Sequence, residues 1–171
     1  MLVLSINSYM MSLDLDKIKE ELKRLPKFKP PFFDQISLQG VEDNPDPFFG
    51  TNSLKDNKPA SSALKPYKAT DLTGFNFNLP YINHIIEELN LCRTRVLVLH
   101  PKTCYSLHKD PSKRIHIPVV TNEKCWMIVN KEIMHLPADG RYYEIDTTQE
   151  HTALNGSWGA RTHIVGCIKG D

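Results

Sequence analysis

The chain has 171 residues, of which 40% are hydrophobic and 24% are charged, and its formal net charge is +1. This length is enough for one domain with a sizeable core, so we expect residues 1–171 to form a single domain. A balance this close to neutral disfavours proteins that bind nucleic acids or anionic membranes through a basic surface. The apolar stretch at the N-terminus is interrupted by polar residues and is too short to span a bilayer. We therefore expect neither a nucleic acid nor a membrane among the partners.

The cysteines are widely spaced and include no Cys-x-x-Cys pair. They are Cys92, Cys104, Cys125 and Cys167. Such spacing gives no zinc knuckle and does not require a disulfide framework. We expect reduced thiols and a cytoplasmic location.

Residues 1–92 are predicted to be helical and irregular. The stretch SLDLDKIKEELKRLP predicts an amphipathic helix that Ser12 or Asp14 caps and that Pro26 ends. The stretch LPYINHIIEELNL predicts a second helix with Pro80 in its first turn.

The segment 26–66 between these helices has a different composition. It holds seven of the twelve prolines, and two aromatic pairs, Phe32-Phe33 and Phe48-Phe49, interrupt it. A long irregular segment with aromatic residues is typical of a lid or binding loop. The same pattern fits a loop that its phenylalanines anchor to the core. The segment is therefore a candidate substrate wall, and the sequence leaves both interpretations open.

Residues 93–171 change to the two-residue periodicity of β-strands. Short runs rich in β-branched or aromatic residues alternate with turn residues: TRVLVLH, RIHIPVV, KCWMIVN, EIMHLP, RYYEID, HTALN and ARTHIVGCI. Asp139-Gly140 predicts a hairpin between the two runs that flank it. Seven or eight short strands in this length predict a sandwich or barrel that holds the functional site.

Charged and titratable residues recur at two-residue spacing in YSLHKDPSKRIHIPVV. In a strand, residues i and i+2 face the same way, so His108 should project with Asp110 and Arg114 with His116. Ile115 should then point to the opposite face. Buried charges need partners, which are expected elsewhere in the β-region.

Two later strands supply such partners. His151, Ala153 and Asn155 share one face of HTALN, and Arg161 and His163 share one face of ARTHIVGCI. The β-region therefore offers one histidine and carboxylate cluster, made of His108, Asp110 and His151. It also offers a cationic cluster, made of Arg114, His116, Arg161 and His163.

Two imidazoles and one carboxylate form the facial triad of non-heme Fe(II) oxygenases. This triad leaves three coordination positions open. A bidentate 2-oxo acid fills two of them and dioxygen the third. An arginine fork suits the far carboxylate of such a co-substrate better than lysine does.

The stretches HKDPSKRIHIPV and EHTALNGSWGARTHIV resemble the aspartyl/asparaginyl β-hydroxylase family of Fe(II)/2-oxoglutarate-dependent dioxygenases. The family pattern is His-x-Asp, then Arg-x-His-x-Pro, then His-x-x-x-Asn, and an arginine ten residues after the second metal histidine. The matching residues are His108, Asp110, Arg114, His116, Pro118, His151, Asn155 and Arg161. The resemblance covers about residues 93–168, and it implies a mainly β fold with a double-stranded β-helix (jelly-roll, cupin-like) core in 93–171.

The resemblance also implies a chemistry. The implied iron ligands and catalytic residues are His108, Asp110 and His151. The C5 carboxylate of 2-oxoglutarate would lie on Arg161, with His116 and Arg114 assisting at co-substrate or substrate carboxylates. With Fe(II), 2-oxoglutarate and O2, the enzyme would hydroxylate an unactivated C–H of an amino acid, peptide or protein side chain. Succinate and CO2 would be released.

Two other interpretations stay open. A cupin-like metal protein, either an isomerase or a sensing and binding module, would carry a similar histidine cluster without 2-oxoglutarate chemistry. A β-sandwich binding module would use the same residues as a hydrogen-bonded structural network without metal. Binding of 2-oxoglutarate separates the first from the oxygenase, and stoichiometric metal binding excludes the second.

Overall fold

A computed structural model describes residues 6–9, 11–28, 34–42, 44, 46–51, 54 and 67–170. Within these residues lie two α-helices, α1 (Leu15–Leu22) and α2 (Pro80–Glu88). They also contain twelve β-strands: β1 (Ile6–Tyr9), β2 (Gln35–Ser37), β3 (Gln39–Gly40), β4 (Gly74–Phe75), β5 (Leu91–Leu99), β6 (Thr103–Cys104), β7 (Arg114–Val120), β8 (Cys125–Val129), β9 (Glu132–Met134), β10 (Tyr142–Ile145), β11 (His151–Asn155) and β12 (Arg161–Ile168). In this part of the chain, no helix has both the length and the apolar character needed to cross a bilayer.

The strands form two large antiparallel sheets and one small one. The larger sheet has the order β1-β10-β7-β12-β5-β2, and the smaller has the order β6-β11-β8-β9. A separate pair joins β3 to β4. The two large sheets pack on each other through a buried cluster of Leu99, Met127, Val129, Leu136, Tyr143, Ile145 and Ala153. The prediction of a mainly β chain with N-terminal helices is confirmed.

Both helices pack on the outer face of the larger sheet. Asp14 caps α1, because its carboxylate accepts hydrogen bonds from the backbone N–H groups of Asp16 and Lys17, and such a cap contributes about 1 kcal/mol. Ile18 is fully buried in the cluster that joins the helices to the sheet, and burial of a side chain this size contributes about 1.5–3 kcal/mol. The predicted amphipathic helix is therefore confirmed.

One buried carboxylate joins the two helices. Leu79, the residue before α2, provides no side-chain cap. Instead, the carboxylate of Glu21 on α1 accepts hydrogen bonds of 2.9 Å from the backbone N–H groups of Tyr81 and Ile82. A negative charge is favourable at a helix N-terminus. This contact therefore fixes α2 against α1 and both against the sheet.

Strand β7 shows how the larger sheet separates a core from a polar cavity. Ile115 and Ile117 are buried in the cluster under the helices. Arg114 and His116 alternate with them and line a cavity on the opposite face. The two-residue alternation predicted for RIHIPVV is confirmed, and the buried charges lie between the two sheets.

The predicted hairpin at Asp139-Gly140 is wrong. Strand β9 pairs with β8 in the smaller sheet, whereas β10 pairs with β1 and β7 in the larger. The chain crosses between sheets here, and the Gly140 carbonyl accepts a hydrogen bond of 2.9 Å from the backbone N–H of Leu13. The tight hairpin lies instead at Asn130-Lys131, whose φ angles of 47° and 70° fit a two-residue primed turn. Turn residues mark a reversal, but they do not specify which sheet the next strand joins.

Residues before 93 contribute more strands than the sequence predicted. Strands β1 and β2 form the two edges of the larger sheet, and β2 pairs with β5. These strands have four and three residues, so their hydrophobic pattern is too short to detect.

Much of the segment 26–66 lies outside the described residues, including Phe32 and Phe33. The ranges left out are 29–33, 43, 45, 52–53 and 55–66. In the described part, the ring of Phe49 contacts that of Tyr67 edge-on, with centroids 5.2 Å apart. Tyr67 in turn lines the cavity between the sheets. The choice between a substrate wall and an anchored loop stays a prediction.

Candidate functional site

Three side chains with metal-ligand atoms meet where β11 begins. They are His108, Asp110 and His151, and one ligand atom of each lies within 4.8 Å of the others. His108 and His151 exchange two backbone hydrogen bonds, of 3.1 and 2.9 Å. The backbone N–H of Asp110 donates to the carbonyl of Thr147 over 2.8 Å. Backbone pairing therefore brings together the three residues that the sequence grouped.

The stretch around His108 and Asp110 is not the regular strand that the spacing predicted. His108 forms an isolated bridge with His151, and the residues on either side of it are irregular. Pro111 follows Asp110 directly, and a proline has no N–H to continue a ladder. The two side chains converge because a short loop folds over the start of β11.

Backbone carbonyls orient both histidine rings. The Nδ1–H of His108 donates to the carbonyl of Ser106 over 2.7 Å, and that of His151 donates to the carbonyl of Gln149 over 3.0 Å. Because a carbonyl only accepts, Nδ1 carries a proton in each ring, so in the neutral ring Nε2 is the nitrogen with the lone pair. Burial also lowers the pKa of His151, which favours the neutral imidazole. Both rings are therefore in the tautomer that ligates a metal through Nε2.

The carboxylate of the cluster is held by an arginine. Arg114 Nη2 lies 3.3 Å from Asp110 Oδ2, and the guanidinium of Arg114 is 2% exposed. Arg114 Nη1 also donates to the hydroxyl of Ser112 over 2.6 Å. The same Asp110 oxygen lies 3.8 Å from His151 Nε2. Two imidazole nitrogens and one oriented carboxylate make a donor set that suits non-heme Fe(II).

These residues border a cavity of about 950 Å³ between the two sheets. Arg161 and His163 from β12, and His116 from β7, line its inner wall. Ala153 and Met127 line the side that belongs to the smaller sheet. The cationic cluster predicted from the sequence therefore faces the same cavity as the cluster of His108, Asp110 and His151.

Arg161 lies against a buried histidine and not against a carboxylate. Its Nε is 3.0 Å from His163 Nε2, and its Nη2 is 2.9 Å from His163 Nδ1. A neutral imidazole has one acceptor nitrogen, so only one of these contacts is a full hydrogen bond. Among the described residues, no carboxylate forms an ion pair with Arg161. Burial lowers the pKa of Arg161 to about 10, and it remains a cation at neutral pH.

The two buried histidines of the wall are uncharged. Burial is the main reason that the pKa values of His116 and His163 lie well below the ordinary value, and the charge of Arg161 adds to it. Their Nδ1 atoms are 3.3 Å apart. The wall therefore presents the Arg161 cation beside two neutral rings. Both nitrogens of His163 contact Arg161, so His116 is the ring that can offer a hydrogen bond to a ligand.

Asn155 serves a different purpose from the histidine four residues before it. Its amide donates to the carbonyls of Leu99 and Gly159, and its oxygen accepts from the backbone N–H and the hydroxyl of Ser157. Asn155 is fully buried. It joins β5, β11 and the turn before β12, and so supports the strand that carries Arg161.

The sequence analysis did not identify two arginines of the cavity. Arg93 and Arg95 on β5 line it and are 5% and 7% exposed. The sequence contained a signal for them, because Arg93 and Arg95 stand two residues apart directly before the apolar run VLVL of the same strand. The backbone acceptors at Ser106 and Gln149 carry no sequence signal, since any residue supplies a carbonyl.

A solved oxidoreductase structure shares the fold of this chain over most of its length. The chain is similar to an oxidoreductase of the 2OG-Fe(II) oxygenase family from Burkholderia pseudomallei, with 14% identity, a TM-score of 0.54, and coverage of 90% of this chain and 76% of that one. It is also similar to the plu4264 protein from Photorhabdus luminescens, with 14% identity, a TM-score of 0.39, and coverage of 45% of this chain and 62% of that one. The chain thus spans less than two thirds of the Photorhabdus protein. No curated protein matches.

A family model described as Aspartyl/Asparaginyl beta-hydroxylase matches residues 14–168. This match extends well beyond the motifs between residues 93 and 168 that carried the resemblance. It includes both helices and all strands from β2 to β12. The chain therefore belongs to the aspartyl/asparaginyl β-hydroxylase family, and the prediction that it is an oxygenase enzyme is confirmed at the level of the family.

Proposed function

We propose that the chain is an Fe(II)/2-oxoglutarate-dependent dioxygenase that hydroxylates an unactivated C–H of an amino acid, peptide or protein side chain. The family match supports an oxygenase, and the observation that carries the finer proposal is the shared cavity. One cavity holds a cluster of two histidines and one carboxylate together with a buried arginine that, in the described part of the chain, forms no ion pair with a carboxylate.

His108, Asp110 and His151 would hold the iron. Their donor set fits this metal, because two Nε2 lone pairs and a carboxylate oxygen already converge on one point. When bound, Fe(II) with 2-oxoglutarate and O2 would supply the oxidant that converts C–H to C–OH, with succinate and CO2 as the other products. A cluster that is preassembled by backbone hydrogen bonds would bind the metal without a large rearrangement.

Arg161 would hold the C5 carboxylate of 2-oxoglutarate. A guanidinium fork forms two parallel hydrogen bonds to a carboxylate, and a buried pair of this kind is stronger than one in water. His163 fixes the plane of the guanidinium. His116, neutral and buried beside it, would offer a further hydrogen bond to the same co-substrate.

Arg114 would act at the border between the metal cluster and the bound carboxylates. Its contacts with Asp110 and Ser112 orient the Asp110 carboxylate. Its Nε is buried and has no hydrogen-bond partner among the described residues. Arg114 would therefore position a metal ligand and keep one donor for an incoming anion.

The cavity would exclude water from the reacting carbon. Ala153 and Met127 close one side with apolar surface, and Tyr105 lies over the same space. Exclusion of water protects a strong oxidant from unproductive reactions. The described part of 26–66 adds Leu54 to the lining, which supports a substrate wall at this segment.

We extend the proposal to architecture and location. The two stacked antiparallel sheets would be the double-stranded β-helix of residues 93–171, and the whole chain 1–171 would form one domain. Residues 1–92 would be its N-terminal part, whose helices α1 and α2 pack on the outer face of the larger sheet. The four free cysteines support the predicted cytoplasmic location.

The test is an anaerobic visible spectrum of the purified protein with Fe(II), recorded before and after addition of 2-oxoglutarate. The proposal expects a new charge-transfer band, because a 2-oxo acid would chelate the bound metal. The band should disappear in His108→Ala and weaken strongly in Arg161→Ala. His84→Ala is the matched control, because His84 is exposed on α2, and it should leave the band unchanged.

Other outcomes separate the alternatives. Metal bound without a band would contradict the oxygenase and favour a cupin-like protein with another chemistry. No stoichiometric binding of Fe(II), Mn(II) or Co(II) would contradict any metal function and leave a structural hydrogen-bonded network. A band would justify a screen of amino acids and peptides for substrate-dependent release of succinate.

A further inference from the structure

Two cysteines stand directly opposite each other in the larger sheet. Cys92, near the start of β5, and Cys167, near the end of β12, are backbone partners in the antiparallel ladder. Both are free, and they are 0% and 1% exposed. Opposite residues of such a ladder have Cα atoms about 4.5–5.5 Å apart, which lies within the range that a disulfide requires. The backbone therefore has the spacing of a cross-strand disulfide.

The side chains of this pair share one face of the sheet. Leu91 and Ile168, their neighbours along the chain, pack in the cluster under the helices. Successive side chains of a strand alternate in direction, so Cys92 and Cys167 both point to the opposite face, towards the space between the sheets. The Cys92 thiol donates a hydrogen bond to the sulfur of Cys167. The two sulfurs are therefore in contact.

A bulge lies beside the pair. The pairing of β12 with β5 shifts register between Val165 and Cys167, and Arg93 lies in this bulge with a φ of 49°. The backbone N–H of Arg93 donates to the carbonyl of Leu72, outside the sheet, over 2.7 Å. A bulge locally interrupts the ladder. At this point the strands can make the small shift that brings two hydrogen-bonded sulfurs to bonding distance.

The surroundings of Cys167 favour its thiolate. The hydrogen bond from Cys92 is the main cause that lowers the pKa of Cys167; the charges of nearby arginines, Arg114 first, add to it, and burial opposes it. The same hydrogen bond, together with burial, raises the pKa of Cys92. A thiolate is the nucleophile in the oxidation of cysteine. Cys167 is therefore suited to react first and Cys92 to react with the product.

The pair lies next to the cavity between the sheets. Arg114 is opposite Cys167 in the ladder of β12 with β7, and Val165 precedes it on the same face of β12. Both Arg114 and Val165 line the cavity. A molecule as small as hydrogen peroxide can approach the sulfurs from this side, whereas their burial excludes bulky thiol reagents.

We infer that Cys92 and Cys167 form a redox modification site, which hydrogen peroxide converts to a disulfide between β5 and β12. The Cys167 thiolate attacks peroxide; an S–O bond forms, the O–O bond breaks, and the departing hydroxide takes a proton from solvent. The Cys92 sulfur then attacks the Cys167 sulfenic acid; an S–S bond forms, and the hydroxyl leaves as water with the Cys92 proton. The two thiols lose two electrons, and peroxide gains them. Neither the metal cluster nor the co-substrate takes part, so the site is independent of the proposed function.

The test maps the thiols of the full chain after oxidation. Reduced, metal-free wild-type protein is treated with a small excess of hydrogen peroxide, quenched with catalase and alkylated in urea with N-ethylmaleimide. Mass spectrometry of unreduced peptides should find one peptide pair that links Cys92 to Cys167. The free thiols of this pair should disappear at least about ten-fold faster than that of Cys125, because Cys125 is also buried but has an amide oxygen, of Asn155, as its partner.

Two variants serve as controls. Cys104→Ser removes the exposed thiol of β6, which prevents links between chains, and it should retain the internal link. Cys92→Ala should abolish the link and leave Cys167 as a sulfenic acid that dimedone traps. Wild-type protein in which both thiols survive while Cys104 is oxidised would overturn the inference. A link that forms only after unfolding in urea would also overturn it.

Urea denaturation tests whether the native sheet accommodates the bond. The oxidised wild type should have a higher midpoint than the reduced protein, because a link between residues 92 and 167 restricts the unfolded chain. Dithiothreitol should reverse this shift, and Cys92→Ala should show no shift after the same treatment. A midpoint that falls on oxidation would mean that the bond distorts the sheet, and the pair would then not be a site built for a disulfide.

Discussion

The two sides of the cavity are built on opposite principles. The cluster of His108, Asp110 and His151 lies on a short irregular loop and the start of a strand, and His108 is exposed. Backbone hydrogen bonds set the positions of its side chains. The facing wall, with Arg161 and His163, consists of buried side chains on regular strands of the larger sheet. Burial and neighbouring charges determine the protonation states of these side chains and make their charges energetically costly.

This contrast indicates on which side of the cavity a change in function should also change stability. In the loop cluster, His108 is exposed and backbone carbonyls hold both histidine rings, so loss of a histidine side chain should affect ligands more than folding. The buried side chains of the wall either carry a charge, as Arg161 does, or are kept neutral by burial, as His163 is. The free energy of unfolding should therefore respond to pH and to removal of that charge.

The largest effect is expected at His151. His151→Ala removes one of three proposed ligand atoms. Loss of a group that only hydrogen-bonds to a metal ligand typically costs about 10–100-fold in metal affinity, so loss of a ligand itself should weaken Mn(II) binding by more than about 100-fold. The midpoint of urea denaturation of the metal-free protein should fall less than in Asn155→Ala, because the buried ring of His151 donates one hydrogen bond among the described residues, to the Gln149 carbonyl, whereas Asn155 takes part in four. Calorimetric titration with Mn(II) and denaturation curves measure the two effects. Tight Mn(II) binding in the variant would remove His151 from the cluster.

Asn155 provides the converse case on the same strand. Asn155→Ala deletes a fully buried amide and with it four hydrogen bonds, to the carbonyls of Leu99 and Gly159 and from the backbone N–H and hydroxyl of Ser157. Loss of such a network should cost about 3 kcal/mol of the free energy of unfolding. Denaturant unfolding measures this loss, with Thr148→Ala on an exposed turn as the control. A loss below about 1 kcal/mol would mean that Asn155 is not a structural hub.

These two residues also show what the sequence can specify. Alternation in β7 and β12 correctly separated Ile115 from His116 and Ile164 from His163, because a sheet with two different faces leaves only one register. The spacing from His151 to Arg161 placed both on strands of one cavity. The sequence therefore predicts which face of a strand each side chain occupies, and it predicts which residues meet at the candidate site.

The sequence failed where neighbours in space decide the outcome. Asp139-Gly140 marked a reversal, but the next strand joined the other sheet. The bulge at Arg93 depends on pairing with residues more than seventy positions later, and no local pattern announces it. The ring orientations of the histidines depend on backbone carbonyls, which every residue possesses. Long-range pairing and backbone acceptors are the parts that only the folded chain provides.

Acid should weaken the fold through the wall. His116 and His163 have pKa values well below the ordinary 6.5 because they are buried, and Arg161, Arg114, Arg95 and His151 around them act in the same direction. The unfolded chain then binds more protons than the native one, so stability falls as pH falls below about 6.5. Each histidine should contribute about 1.4 kcal/mol per pH unit. Urea denaturation of metal-free protein between about pH 7.5 and about pH 5.5 measures the slope.

A histidine variant gives the control for this slope. His163→Leu should flatten the pH dependence, whereas His84→Asn on the exposed face of α2 should leave it unchanged. An unaltered slope in His163→Leu would place the titrating groups elsewhere. That result would contradict the contrast between the buried wall and the loop cluster.

The smallest effect is expected from removal of the wall's charge. Arg161→Met keeps much of the volume and removes a buried cation whose hydrogen-bond partner among the described residues is the neutral ring of His163. Replacement of buried charge by apolar side chains is often neutral or stabilising, so we expect an increase of about 1 kcal/mol in the free energy of unfolding of the ligand-free protein. In wild-type protein, 2-oxoglutarate should raise the denaturation midpoint, and in Arg161→Met this shift should be lost. A variant that is destabilised without ligand, yet still responds to 2-oxoglutarate, would assign Arg161 to the core instead of the anion site.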